Sequence, residues 1–228
     1  MKMISDLDLM SVNKPSCYTG GEKNSVIKDK DKVSVRFAFC FPDTYEIGMS
    51  HLGMKILYSM LNEDPDTWCE RVFAPASDME DLMRSKNIPL FGLESGDAIK
   101  DFDFLGFTLM YELCYTNVLN MLDLAGIPVE SSERSGNCPV VIAGGACTSN
   151  PEPMADFFDI MIMGEGEEVL PELMQLYIKC KAAGMDRPEF LEQACHIEGI
   201  YVPAFYKTQY NDDGTIKSFA PENSAPAV

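Results

Sequence analysis

Five short apolar runs, four of them followed by a helical period and the other by a proline-led helix start, limit what this chain can fold into. The first, residues 33–41, puts Val33, Val35, Phe37, Phe39 and Phe41 on one parity and Ala38 and Cys40 on the other, the pattern of a strand buried on both faces toward its end. Pro42 stops it, and after 43–50 a helix is predicted to residue 62, with Leu52, Ile56, Leu57, Met60 and Leu61 along one side. Residues 68–73 and a helix opened at Ser77-Asp78-Met79-Glu80, a capping-box signature, repeat the unit. Residues 104–109 and a helix over 117–125, ended by Gly126-Ile127-Pro128, repeat it again. A fourth strand, 139–143, closes on Gly144-Gly145, with Asn150-Pro151 as a helix start. A fifth, 160–163, ends at Gly164-Glu165-Gly166-Glu167 before a helix to residue 183 that Gly184 stops.

Parallel neighbours need crossovers, and crossovers are right-handed, so this alternation predicts an α/β fold: an open, doubly wound, five-stranded parallel sheet with helices on both faces. The main domain is placed at 33–199, with an irregular amino-terminal arm at 1–32 laid over it. A further helix opens at the capping box Asp186-Arg187-Pro188-Glu189. A carboxy-terminal hairpin over 200–219 turns at Asn211-Asp212-Asp213-Gly214, and 220–228 has the composition of a linker.

Charge narrows the partners. Eighteen basic against 36 acidic residues leave a net charge of -18, which repels phosphate backbones and anionic lipid and argues against nucleic acid as a partner of this chain alone. The absence of a long apolar run or a basic-then-apolar leader gives no membrane span and a cytoplasmic expectation. The eight cysteines form no C-x-x-C pair or compact cluster, so they read as buried thiols, and no metal site is written here.

In doubly wound sheets ligands bind beyond the carboxyl ends of the strands, where crossovers leave on opposite faces. The segment Pro42-Asp43-Thr44-Tyr45-Glu46-Ile47-Gly48-Met49-Ser50-His51 falls there; Gly48 offers a positive φ and Ser50 a cap, so exposed amides could hold an anionic or carbonyl group. After the third strand, Thr108, Tyr111, Glu112 and Asn117 supply hydroxyls, a carboxylate and an amide; after the fourth, Gly144 and Gly145 let backbone approach a flat ligand beside Thr148. Glu165 and Glu167 lie in a first helical turn, where the helix dipole favours acids without any catalysis, and no catalytic residue is assigned. His51 reads as a capping or surface side chain.

Phe41-Pro42-Asp43-Thr44-Tyr45-Glu46-Ile47-Gly48-Met49-Ser50, Tyr111-Glu112-Leu113-Cys114-Tyr115-Thr116-Asn117, Gly144-Gly145 with Asn150-Pro151-Glu152-Pro153, and Gly164-Glu165-Gly166-Glu167-Glu168 together resemble the amino-terminal region of cobalamin-binding-type radical S-adenosylmethionine proteins, in an uncharacterised bacterial branch. The resemblance covers residues 14–206. It implies a flavodoxin-like, cobalamin-binding-like domain preceding a barrel that holds S-adenosylmethionine and a [4Fe-4S] cluster through C-x-x-x-C-x-x-C. That motif is missing here, so the chain is expected to be an accessory piece of a longer enzyme with an unidentified substrate, inactive alone, its partner the barrel of the same parent protein.

Histidine-ligating cobalamin domains carry D-x-H-x-x-G after the first strand. The window Met49-Ser50-His51-Leu52-Gly53-Met54 matches neither the Asp nor the Gly, so any cobalamin is expected without a histidine on cobalt. Its lower face would lie against 42–50 and its tail in a cleft lined by Thr108, Gly144, Gly145 and Gly164, with Gly166 beside it. The alternatives are a cofactor-free module that docks the barrel or presents substrate, which a filled apolar crevice would favour, and a flavin-type carrier, which the acidic stretch from Asp43 to Glu46 disfavours.

Overall fold

The computed structural model describes residues 4–222 and 225–226. In chain order the elements are α1 (Asp6–Leu9), β1 (Val35–Phe41), α2 (Tyr45–Gly48), α3 (Leu52–Glu63), β2 (Thr67–Phe73), α4 (Ser77–Lys86), β3 (Phe104–Thr108), α5 (Tyr115–Ala125), β4 (Val140–Gly144), β5 (Ile160–Ile162), α6 (Gly166–Ala182), α7 (Arg187–Ala194), β6 (Ile200–Tyr201), β7 (Tyr206–Tyr210) and β8 (Ile216–Pro221). The main sheet runs β2-β1-β3-β4-β5-β6, and its first five strands are parallel. An order of 2-1-3-4-5 is the flavodoxin-like arrangement of a doubly wound sheet, with its switch point between β1 and β3.

Strand parity divides the core. Val35, Phe37, Phe39, Phe104, Val140, Ile142 and Ile160 pack under α3, α6 and α7, through Met54, Tyr58, Leu61, Leu170, Leu173 and Phe190. The opposite parity, including Ala38, Cys40, Leu105, Phe107, Val141 and Ala143, packs under α4 and α5, through Met79, Met83, Val118, Met121 and Leu122. Both faces are covered, which is why these strands read as continuous apolar runs.

Six strands replace the five expected. Ile200 and Tyr201, assigned above to the hairpin, instead pair antiparallel with β5 at the sheet edge, in register Met161↔Tyr201 and Ile162↔Ile200. The backbone turns into this strand at Gly199, whose φ is +85° and whose carbonyl accepts from the Met163 amide at 2.8 Å. Two residues are too few to show a period, but they cover an edge that would otherwise expose unpaired amides. The hairpin proper is β7–β8, 206–221, and it turns at Asn211–Gly214 as predicted. Of the expected linker, Ala220 and Pro221 complete β8 and Ala225 packs on the α3/α6 side of the core; residues 223, 224, 227 and 228 lie outside the described residues.

Several boundaries move. Ser77 is the first helical residue of α4 rather than its cap, and Ala76 precedes it. The β4-to-β5 crossover is a pair of 3-10 turns, Ala146–Ser149 and Glu152–Phe157, where an α-helix was expected after Pro151. The capping box at Asp186 and Glu189 forms as predicted.

The arm is pinned over edge strand β2. Trp68 Nε1 donates to the Val26 carbonyl at 3.0 Å, the Val26 amide donates to Tyr58 Oη at 2.8 Å, and Lys28 Nζ reaches the carbonyls of Asp64 and Thr67 at 2.6 and 2.5 Å. Beside it, Arg36 donates to Glu70 at 2.5 Å and Asp97 at 2.9 Å under the Phe102 ring, and Arg71 Nε donates to Glu94 at 2.6 Å. Burial pushes the Glu94 carboxyl above the usual carboxylate range despite Arg71.

Candidate functional site

On the α3/α6 face, the row nearest the carboxyl ends of the strands runs out of large side chains. Register places Phe39 beside Gly106, Gly106 beside Ile142, and Thr108 beside Gly144. With glycine or threonine at these places, and Gly164 after β5, the helices cannot close onto the sheet. A cleft of about 220 Å³ remains, floored by Phe39, Gly106, Ile142 and Ile162, walled by Met54 and Leu57 of α3 and Leu170 of α6, with Thr108, Gly144, Gly145, Gly164, Glu165, Gly166 and Glu167 at its mouth.

The glycines differ in what they do. Gly145 has φ +102° and ψ -179°, a backbone region almost closed to other residues, and a Cβ there would lie 2.8 Å from the Leu109 carbonyl oxygen. Gly145→Ala is therefore expected to cost about 2–3 kcal/mol of stability, read as a lower urea midpoint at unchanged slope. At Gly106 a Cβ would meet the Phe37 ring at 2.4 Å, whereas at Gly144 nothing lies within 4 Å. Gly48 adopts no positive φ, contrary to expectation. It sits in α2, where a Cβ would be 2.3 Å from the Phe73 ring, so close packing requires the glycine.

Of the residues singled out from sequence, His51, Thr108, Gly144, Gly145, Gly164, Glu165 and Gly166 share this cleft. The Thr108 hydroxyl has no partner among the described residues, which leaves it available to a guest. His51, not Ser50, caps α3: its Nδ1 accepts the Met54 amide at 3.1 Å, while Ser50 Oγ donates to the Glu46 carbonyl at 2.8 Å. An Nδ1 so engaged carries no proton, so the neutral ring is protonated at Nε2 and offers a metal no lone pair.

The others brace the mouth. Tyr111 Oη donates to Asp43 Oδ2 at 2.8 Å, raising the phenol above its ordinary pKa, and Asn117 Nδ2 donates to the Pro42 carbonyl at 2.9 Å. These bonds tie the loop after β1 to the loop after β3 and to the first turn of α5 across the switch point. Glu46 pairs with Lys14 of the arm, and the Met49 sulfur faces Arg71 at 3.6 Å. Glu112 is exposed on its turn. Thr148 is buried, its Oγ1 2.8 Å from the carbonyl oxygens of both Gly145 and Ile162, so it staples the β4 turn to β5 instead of facing the cleft. Near it, burial and the Cys147 thiol push Tyr115 up to about 12.

Sequence reading missed Gly106, Met110, Leu57 and Leu170 as lining residues; an isolated glycine inside a strand pattern was the available signal for the first. Exposed apolar side chains lie on the segments that follow the strands: Ile47 and Leu52 after β1, Met110, which lines the cleft, and Leu113 after β3, and Met163 after β5, with Leu52 69% and Leu113 84% accessible. An apolar slot with a few polar groups, opening on an apolar rim, is the form of a binding site. Among the described residues, no three His, Cys, Asp or Glu side chains gather as a metal site, and no helix is long and apolar enough to cross a membrane.

Fold and cleft thus define an α/β domain with a mostly parallel sheet and an open cleft at its strand ends. Residues 53–203 match the family model described as radical SAM proteins, N-terminal, and the chain belongs to that family. It is also 27% identical over 137 residues to an uncharacterized protein of Methanocaldococcus jannaschii, an alignment covering 60% of this chain and 25% of that protein. The chain therefore spans about a quarter of the length of that curated relative. No solved structure matches it significantly.

Proposed function

We propose that this domain is the accessory module of a radical S-adenosylmethionine enzyme and holds a flat corrinoid at the carboxyl ends of its strands, against the barrel of the parent protein. The observation that carries the reading is the cleft: it is apolar, glycine-edged and open, and it lies at the switch point of the sheet. At about 220 Å³ it is far too small for a whole corrinoid but suits one arm of it, with the planar body resting on the exposed apolar rim. Gly144, Gly164 and Gly166 would border the arm, Thr108 would offer it a hydrogen bond, and Ile47, Leu52, Met110 and Leu113 would face the planar body or the barrel. Such a cofactor supplies radical or group-transfer chemistry; the chain's own part is to orient it and keep water from its buried side.

The cofactor-free docking reading predicts a crevice filled by side chains, and the open cleft favours a guest over it. His51 is left out of the coordination sphere, since its Nδ1 serves the helix.

Titrating the protein with hydroxocobalamin tests the reading. The expected result is a saturable change in the visible spectrum and colour retained through gel filtration; no spectral change and no retained colour at high micromolar ligand would count against it. His51→Ala should leave the bound spectrum unchanged while costing about 1 kcal/mol of stability through the lost cap.

A further inference from the structure

A second cavity, about 380 Å³, lies between the arm and α3 and is lined by no carboxylate, although the chain carries 36 acidic residues against 18 basic ones. Three cations line it instead: Lys23, Lys55 and Arg71. Most lysines and arginines here find a carboxylate, but Lys23 and Lys55 have none within ion-pair distance among the described residues.

The arm is built to hold its tip there. The Ser25 amide donates to the Glu22 carbonyl at 3.1 Å, closing a turn whose central residues are Lys23 and Asn24, and Asn24 takes the left-handed φ of +68°. Both flanks are anchored, Ser25 Oγ accepting from Arg71 Nη2 at 2.8 Å and Val26 bonding Tyr58 and Trp68. Opposite the tip, Lys55 and Ser59 lie four residues apart on one face of α3.

Arg71 closes the base. Its side chain is 8% exposed and its guanidinium lies over the Tyr58 ring at 4.6 Å. Glu94 takes Nε at 2.6 Å, and Glu22 approaches Nη2 at 3.5 Å. Among the described residues Nη1 meets only the Met49 thioether at 3.6 Å, a weak acceptor, and so keeps N–H capacity unspent beside the cavity.

We infer that this cavity binds the phosphate group of a small phosphorylated molecule, with Lys23 and Lys55 as charge partners, Arg71 Nη1 as the buried donor, and Asn24 and Ser59 as neutral donors. Its volume admits an organic group beyond the phosphate. In so acidic a protein, a pocket that gathers two lysines with no ion-pair partner among the described residues, beside an arginine whose carboxylates Glu94 and Glu22 lie outside the lining, is selective for an anion.

Isothermal titration at low salt with inorganic phosphate and with phenyl phosphate tests this. Saturable binding of both is expected, the ester tighter because it fills more of the cavity, and the double variant K23Q/K55Q should weaken each at least about tenfold, since two charge-assisted contacts are lost. Both lysines are exposed and unpaired, so that variant should keep the wild-type thermal midpoint. The absence of saturable binding, or equal affinity in the double variant, would overturn the site.

Discussion

Gly144→Leu is expected to weaken hydroxocobalamin binding by about 100-fold, close to 2.8 kcal/mol, while leaving stability within about 0.5 kcal/mol of wild type. Gly144 ends β4 on the same parity as Val140 and Ile142, which face α3 and α6, so its substituent enters the cleft side of the sheet. A Cβ there has nothing within 4 Å, and the backbone is free of positive φ, so the leucine meets neither clash nor strain. It takes up much of a cleft of about 220 Å³. Equal affinity in wild type and variant, measured by spectral titration, would place the guest elsewhere.

Asp159→Ala should cost about 3–5 kcal/mol, a large share of the roughly 5–15 kcal/mol that holds a domain folded. Asp159 precedes β5 at the end of the sheet opposite the cleft. Its Oδ2 accepts the Val141 amide at 2.7 Å, Arg134 Nη1 at 3.1 Å and Arg187 Nη2 at 2.5 Å. The Arg134 side chain is fully buried and among the described residues otherwise meets only the carbonyls of Pro128, Val129 and Phe157, and burial already pulls its guanidinium below its ordinary pKa. Removing the carboxylate leaves two guanidinium groups and a strand amide without their shared acceptor. Asp159→Asn keeps the side-chain oxygen and should fall between the two, as urea midpoints would show.

What could be read from sequence followed from burial. Strands covered on both faces are apolar at most positions, Arg36, Glu70 and Arg71 being the buried charged exceptions, so β1 to β5 announced themselves, and Asp186 with Glu189 marked α7 through local chemistry alone. The two residues of β6 are too short for any period, and the edge they cover exists only once β5 is placed. Gly48 and Gly145 looked alike as loop glycines, yet one is required by the Phe73 ring and the other by its backbone dihedrals. The strand-end residues of the cleft were partly legible, because Gly144, Gly145 and Gly164 follow strands directly; Gly106, inside β3, makes room only through neighbours brought by the sheet. Tyr111, Asn117 and Thr148 show the reverse: polar residues in the right place that spend their hydrogen bonds on the loops themselves.

In the proposed function the glycine-bearing ends of the parallel strands form one receptor surface. Backbone amide shifts in nitrogen-15-labelled protein, followed while hydroxocobalamin is added, test it most directly. Perturbations concentrated at Gly106, Gly144, Gly145, Gly164 and Gly166 are predicted, with the Asp159 end of the sheet silent. Shifts confined to other surfaces, or none at saturating ligand, would contradict it.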